Sequence, residues 1–224
     1  YAEILLDDSE LMNPMSTGDL NKILAASNHL LSLINNLLNL AKINAGKMDV
    51  HIASFDIRDV VKEASQILHP MMKKYNNEFQ VLCPIDIGIM TSDRAKIYQC
   101  LLNLLSNAAK YTNSGKVIFR VNRTVDLQQN WVEFVIEDTG MGIPENKMKN
   151  LFDEFTQMDS TVSHQTGTGL GLALTRRMSV LLGGTVVAQS RQGLGSTFIL
   201  RLPEVAPVPQ SNAVDTKDVP TPSQ

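Results

Sequence analysis

Lys116-Val-Ile-Phe-Arg-Val-Asn-Arg-Thr-Val125 and Trp131-Val-Glu-Phe-Val-Ile-Glu137 alternate apolar and polar side chains. A period of two belongs to a strand with one face buried, and two such runs joined by a short polar link read as a hairpin. Working outward, the residues before the hairpin change period. Ser92 or Asp93 caps a helix that runs to about Tyr111 and buries Leu101, Leu102, Leu104, Leu105 and Ala108. Another helix begins at Asp56 with Ile57, Val60, Val61, Ala64, Ile67 and Leu68 on one side. Val50 to Phe55 and Phe79 to Leu82 read as strands. After the hairpin come a short helical piece at Met148 to Phe152 and a helix from Leu170 to Leu182, stopped by Gly183-Gly184. Thr185 to Gln189 and Ser196 to Leu202 complete the strands. Helices mixed with adjacent strand pairs predict an α+β sandwich, one sheet facing one helical layer.

The region before residue 49 is purely helical in pattern. Tyr1-Ala-Glu-Ile-Leu-Leu reads as the end of a helix already under way, interrupted at Asn13-Pro14 and Thr17-Gly18. A second helix spans roughly Asp19 to Ala45, with Leu20, Leu24, Ser27, Leu31, Ile34, Leu38 and Ala41 spaced alternately by four and three. That is a coiled-coil seam. Leu30, Leu33, Leu37 and Leu40 widen the stripe, and so broad an apolar face must be buried against more than one neighbour. A helical hairpin that pairs with a second copy into a four-helix bundle satisfies this. Gly46 sits where a helix-ending glycine belongs. Three segments follow: a partial helical hairpin over 1–48, a globular domain over 49–203, and a Pro-rich flexible tail over 204–224.

Bulk composition narrows the function. Of 224 residues, 43% are hydrophobic and 19% charged, as in an ordinary globular protein. A net charge of -3 without a clustered basic face points away from nucleic acid. No apolar run is long enough to span a bilayer, so membrane attachment would need segments upstream, and the expected location is cytoplasmic. Cys83 and Cys100 lie in apolar contexts and read as free thiols.

Three polar clusters interrupt the scaffold. In Asn103-Leu-Leu-Ser-Asn107-Ala-Ala-Lys110-Tyr111-Thr112, the residues Asn103, Asn107 and Lys110 share one helix face. Two carboxamides and an ammonium suit a hydrated Mg²⁺ and phosphate oxygens, or else form a solvated polar stripe. In Glu137-Asp138-Thr139-Gly140-Met141-Gly142-Ile143-Pro144, a carboxylate at a strand end precedes glycines that let something approach the backbone. Asp138 can accept from an exocyclic amine such as that of adenine. In Gly167-Thr168-Gly169-Leu170-Gly171-Leu172, glycines lead into a helix N-terminus, where backbone N–H groups can meet an anion. Neither a dinucleotide-binding unit nor a Walker loop fits, since no strand precedes the glycines and no Gly-Lys-Ser/Thr follows them.

In this order, N-x-x-x-N-A-x-K-Y-T, D-x-G-x-G-I-P, F-x-x-F and G-T-G-L-G-L, the chain from about Val50 to Leu202 resembles the catalytic domain of sensor histidine kinases. That family shares its ATP site with gyrase, Hsp90 and MutL. Leu37 to Met48 resembles the second dimerisation helix and its exit. The resemblance implies a Bergerat-type two-layer α/β sandwich and an ATP-dependent protein histidine kinase. It implies ATP and Mg²⁺ as cofactors, a homodimer through the hairpin, and a response-regulator receiver domain as partner, in cis or in trans. It assigns Asn107 to Mg²⁺, and Asn103 and Lys110 to the phosphates and their transfer. Tyr111 would cover the base or sugar, Asp138 read the adenine amine, and Gly140 and Gly142 admit the base. Phe152 and Phe155 would anchor a lid reaching about Thr166. Gly167, Thr168, Gly169, Leu170, Gly171 and Leu172 would cradle the phosphates, and Thr197 lie near adenine.

Two features depart from the family pattern. None of His29, His51, His69 and His164 has an acidic neighbour followed by Arg-x-x-Pro, so the phosphate-accepting histidine is expected upstream of Tyr1. His29 is expected to face solvent. Ser163-His164-Gln165 stands where many relatives carry Arg or Lys. The alternative is a nucleotide-binding, dimerising module without catalysis.

Overall fold

A computed structural model describes residues 14–126, 128–156 and 169–207. The expected end of the first hairpin helix, the lid from 157 with His164, the residues Gly167 and Thr168, and the tail beyond 207 lie outside the described residues.

Helix α1 (Pro14–Asn44) is longer than its sequence pattern predicts. Pro14 is its first residue, a place where a missing N–H is tolerated, and Gly18 lies inside it at a penalty of only about 1 kcal/mol. Gly18 therefore does not break the helix, while the residues before Pro14 lie outside the described ones. The helix ends as expected: Gly46 has φ +64°, its N–H donates to Ile43 O at 2.9 Å, and Lys47 N–H donates to Lys42 O at 2.8 Å. That is a Schellman closure.

The globular unit then runs β1 (Ala53–Asp56), α2 (Ile57–Lys74), β2 (Glu78–Leu82), β3 (Ile89–Ser92), α3 (Arg94–Tyr111), β4 (Lys116–Asp126), β5 (Gln129–Asp138), α4 (Glu145–Met148), α5 (Gly171–Leu181), β6 (Thr185–Arg191) and β7 (Gly195–Pro203). The five-stranded sheet has the order β2-β4-β5-β7-β6; β2 is parallel to β4 and the remaining pairs are antiparallel. Alternation places Val117, Phe119 and Val121, with Val132, Phe134 and Ile136, on the buried face. Phe198, Leu200 and Leu202 extend that face across β7. Against it pack the apolar sides of α2, α3 and α5, including Val60, Ala64, Leu101, Leu104, Leu105, Leu174 and Met178. This is the expected two-layer sandwich. Both cysteines are free; Cys100 is buried, and burial pushes its thiol up to about 12.

Strand β3 was not expected. Four residues, one of them a serine, are too few to display alternation. It pairs antiparallel with β1 in a separate two-stranded sheet. Thr91 N–H also donates to Glu204 O, and Ala206 N–H to Thr91 O, each at 2.8 Å. The residues after β7 are thereby fastened to the same small sheet as those entering the unit.

Asp93, not Ser92, caps α3. Its carboxylate accepts from Lys96 N–H at 3.1 Å, from His51 N–H at 2.9 Å and from Lys96 Nζ at 2.7 Å. Burial alone would raise its pKa, but these bonds outweigh burial and hold it below the usual value. Stability from this cap is therefore present above the unfolded carboxyl pKa and is lost as pH falls through the depressed folded one. Asp93→Ala is expected to lower unfolding free energy by about 1–2 kcal/mol at neutral pH, and urea titrations at neutral and acid pH should show the difference shrinking in acid.

Helix α1 divides its apolar face. Leu40 is buried, and Leu33 and Ile43 pack against the core, with α1 lying on α5. The seam residues Leu31, Ile34 and Leu38, with Leu30 and Leu37, stay exposed. His29 is partly covered rather than fully open to solvent.

Candidate functional site

Helix α3 ends where β5 ends, and the two ends are tied together. Met141 N–H donates to Tyr111 O at 3.2 Å, and Thr139 N–H donates to Lys116 O at 3.0 Å. Asn77 closes the helix end: its Nδ2 donates to Ala109 O at 3.0 Å and Thr112 O at 2.9 Å, and its Oδ1 accepts from Gly115 N–H at 3.1 Å. This connection brings the first two polar clusters into one site. Nothing in the sequence marks Asn77 for this task, because the carbonyls it serves are distant along the chain.

Asp138 is 8% exposed. Its Oδ1 accepts from Gly140 N–H at 2.8 Å and Ser196 N–H at 3.3 Å. The Thr112 hydroxyl lies beside it and lowers its pKa slightly, though without a hydrogen bond of ordinary geometry. Burial is the largest influence and leaves the carboxyl above its usual pKa. No lysine or arginine among the described residues pairs with it. A Cβ on Gly140 would overlap Tyr111 O and lie 2.9 Å from the Thr112 hydroxyl, and one on Gly142 would overlap Arg191 O at φ +66°. Both positions need glycine because backbone segments meet there.

On α3, Asn107 is half-buried, and its side chain makes no hydrogen bond among the described residues. Lys110 has no carboxylate partner among them; its ammonium lies 5.2 Å from the Tyr111 ring centroid, and burial lowers its pKa. Burial raises the Tyr111 phenol. Asn103 is differently placed. Its Nδ2 donates to Thr175 Oγ1 at 2.8 Å, and a Cβ on Gly171 would overlap its Oδ1. Thus α3 and the glycine-entered helix α5 are in direct contact.

At the start of α5, Leu170 is buried and Leu172 packs against the core, so their side chains brace the turn from inside. Gly169 has φ +69°, and a Cβ there would sit 2.8 Å from the Phe155 carbonyl carbon. Of the two expected lid anchors, Phe152 packs on the core, whereas Phe155 is 64% exposed with φ +61°.

Thr197 does not adjoin Asp138. The register pairs Thr197 with Glu137, and Ser196 with Asp138. Directly paired residues share a face, so Ser196, rather than Thr197, shares the face of Asp138. Ser190 supports it: the two hydroxyls are 3.0 Å apart, and Ser190 Oγ donates to Gly195 O and accepts from Ile143 N–H, each at 2.8 Å.

The residues fit a nucleotide. An unneutralised buried carboxylate suits an amine donor, and unpaired amide and ammonium groups suit phosphate oxygens. No group of three or more His, Cys, Asp or Glu among the described residues could hold a metal alone. No helix among them is long and apolar enough to cross a membrane.

Comparison with known proteins agrees. Residues 92–206 match the family of histidine kinase-, DNA gyrase B-, and HSP90-like ATPases. The chain is 35% identical over 187 residues to hybrid signal transduction histidine kinase B of Dictyostelium discoideum, covering 82% of this chain and 10% of that protein. It is 37% identical over 197 residues to the circadian input-output histidine kinase CikA of Synechococcus elongatus, covering 84% and 25%. The chain thus spans a quarter or less of these relatives. Full-length ShkA in complex with AMPPNP superimposes with a TM-score of 0.76 at 25% identity, covering 92% of this chain and 42% of that one. The chain belongs to the histidine kinase-, DNA gyrase B- and HSP90-like ATPase family, as the ATP-binding catalytic region of a histidine kinase.

Proposed function

We propose that this region binds Mg·ATP and directs its γ-phosphoryl group to a histidine, for relay to a response-regulator aspartate. An unprotonated imidazole nitrogen forms the new bond to phosphorus, and the bond to the β,γ-bridging oxygen breaks with its electron pair leaving on ADP. The work of the chain is positioning and charge neutralisation. Asp138 accepts from the adenine amine, with Gly140 and Gly142 admitting the base and Tyr111 covering it. Lys110 would neutralise phosphate oxygens, and Asn107 would offer its carboxamide oxygen to Mg²⁺, which would supply further charge neutralisation. The glycine motif over residues 167–171, which leads into α5, would receive the phosphates on backbone N–H groups.

One observation carries this reading. Lys110 and Asp138, each without a charged partner among the described residues, lie on segments that the Met141-to-Tyr111 bond ties end to end. Two buried or half-buried charges left unpaired destabilise a fold unless a ligand answers them.

The exposed seam of Leu31, Ile34 and Leu38 supports a second copy of the chain as the partner of α1. Hybrid naming of the Dictyostelium relative supports a receiver domain as the next partner. A cytoplasmic setting suits that relay. Because the relatives are named kinases, transfer is favoured over nucleotide binding alone.

Labelled ATP, incubated with this chain and a separate hairpin bearing an acceptor histidine, is expected to label the hairpin. Asn107→Ala should weaken Mg·ADP binding about 10- to 100-fold, the size of a lost charge-assisted contact, and remove the label. Tight Mg·ADP binding by the unaltered chain with no label on the hairpin would overturn transfer in favour of a binding module.

A further inference from the structure

We propose that Thr175 is a positioning residue for phosphoryl transfer, holding the Asn103 carboxamide against the first turn of α5. The proposal rests on the kinase reading above and adds a residue that its motifs do not contain.

Thr175 is 2% exposed and lies one helical turn past Gly171. Its hydroxyl has one proton to give, and that proton goes to Gly171 O at 3.0 Å. Only lone pairs remain to face α3, and Asn103 Nδ2 meets them at 2.8 Å. A carboxamide oxygen turned to the same place would face lone pairs with lone pairs. The amide orientation is therefore chosen by Thr175, and Oδ1 is turned onto Gly171, where a Cβ would overlap it. Asn103, Thr175 and Gly171 form a closed triangle between two helices.

A serine or threonine bond to the carbonyl four residues back is common in helices and by itself means nothing. Here the same hydroxyl also fixes a side chain on another helix. Asn107 and Lys110 share the face of α3 that Asn103 begins, about one and two turns further on. The triangle consequently sets the spacing between that face and the glycine turn. It also stands at a border. A cavity of about 370 Å³ has Asn103, Thr175 and Gly171 on its wall and reaches Ser32 and Asn36 of α1. A side chain arriving from the hairpin would meet Asn103 there.

Thr175→Val keeps the shape and removes both bonds, and Thr175→Ser keeps the hydroxyl. Valine is expected to lower kcat for transfer to the acceptor hairpin about 10- to 100-fold, with KM for ATP within about twofold, while serine stays within about twofold of the unaltered chain, as a loss of orientation rather than of binding requires. The Asn103 side-chain N–H signals in nuclear magnetic resonance should shift and exchange faster in Thr175→Val and remain in place in Thr175→Ser. Equal transfer by Thr175→Val and the unaltered chain would overturn the proposal, as would equal losses in both variants, or an Asn103 signal indifferent to Thr175→Val. If the unaltered chain binds Mg·ADP and labels no hairpin, the kinase reading fails first and the catalytic role falls with it. The Asn103 signal separates that result from failure of the triangle alone.

Discussion

Asp138→Asn is expected to weaken nucleotide binding about 10- to 100-fold while leaving the unliganded protein as stable as before, or more so. The two effects come from one carboxylate. Burial raises its pKa, and the N–H donors of Gly140 and Ser196 oppose this without cancelling it. A group with a raised folded pKa contributes stability below its unfolded pKa and loses it as pH rises through the folded one. At neutral pH the Asp138 charge therefore works against folding. Asparagine has the same outline, and its carbonyl oxygen can take the same two N–H donors, but it carries no charge. It also presents an amide N–H₂ where adenine presents its own amine, and two donors repel. Calorimetric titration with Mg·ADP and thermal unfolding without it check the two halves. Affinity of the unaltered chain should fall in acid as Asp138 protonates, and that of the variant should not follow. Unchanged affinity in Asp138→Asn would remove Asp138 from the nucleotide site.

The fold was legible because its signals are periodic. The alternation at Val117, Phe119 and Val121 against Val132, Phe134 and Ile136 is repeated over a length that chance rarely supplies, and the pairing register follows it. The site was legible where chemistry is local. Asp138 followed by Gly140 and Gly142 announces a carboxylate at a close backbone approach. The rest of the site depends on register or on distant partners. Thr197 and Ser196 are adjacent hydroxyls, and only the pairing of Ser196 with Asp138 decides which of them faces inward. Thr175 stands three residues beyond the glycine motif and looks like an ordinary helix residue until Asn103 is brought to it from 72 positions away. Phe155 is aromatic in a motif expected to anchor, yet it is largely exposed on a left-handed backbone.

Helix α1 teaches the same lesson from the other side. Its seam and its wider stripe were both visible, but a linear pattern does not say which leucine meets which neighbour. The structure sends Leu33, Leu40 and Ile43 to the globular unit and leaves Leu31, Ile34 and Leu38 outside. One stripe is therefore divided: part of it packs on the globular unit, and part stays exposed among the described residues.

Gly195→Ala is expected to destabilise the protein by roughly 2–5 kcal/mol, adding a left-handed backbone penalty to an overlap that packing cannot relieve. Gly195 has φ +100°, and a Cβ there would overlap the carbonyl oxygen of Asp138 and lie 2.9 Å from Thr139 Cα. Both neighbours are backbone and belong to the turn that presents the carboxylate, so neither can swing aside. Gly193 is the matching control. It has φ +81° in the turn between β6 and β7, two residues before Gly195, with nothing within 4 Å of the place its Cβ would occupy. Gly193→Ala should therefore show the backbone penalty alone, about 1–2 kcal/mol. The excess in Gly195→Ala measures how hard the turn presses on Asp138. It should also appear in function: moving residue 195 displaces Ser196, whose N–H holds Asp138 Oδ1, so Mg·ADP affinity should drop in Gly195→Ala and hold in Gly193→Ala. Urea midpoints and calorimetric titration of the two variants supply both comparisons. Equal losses in the pair would mean that this turn is strained but does not shape the nucleotide site.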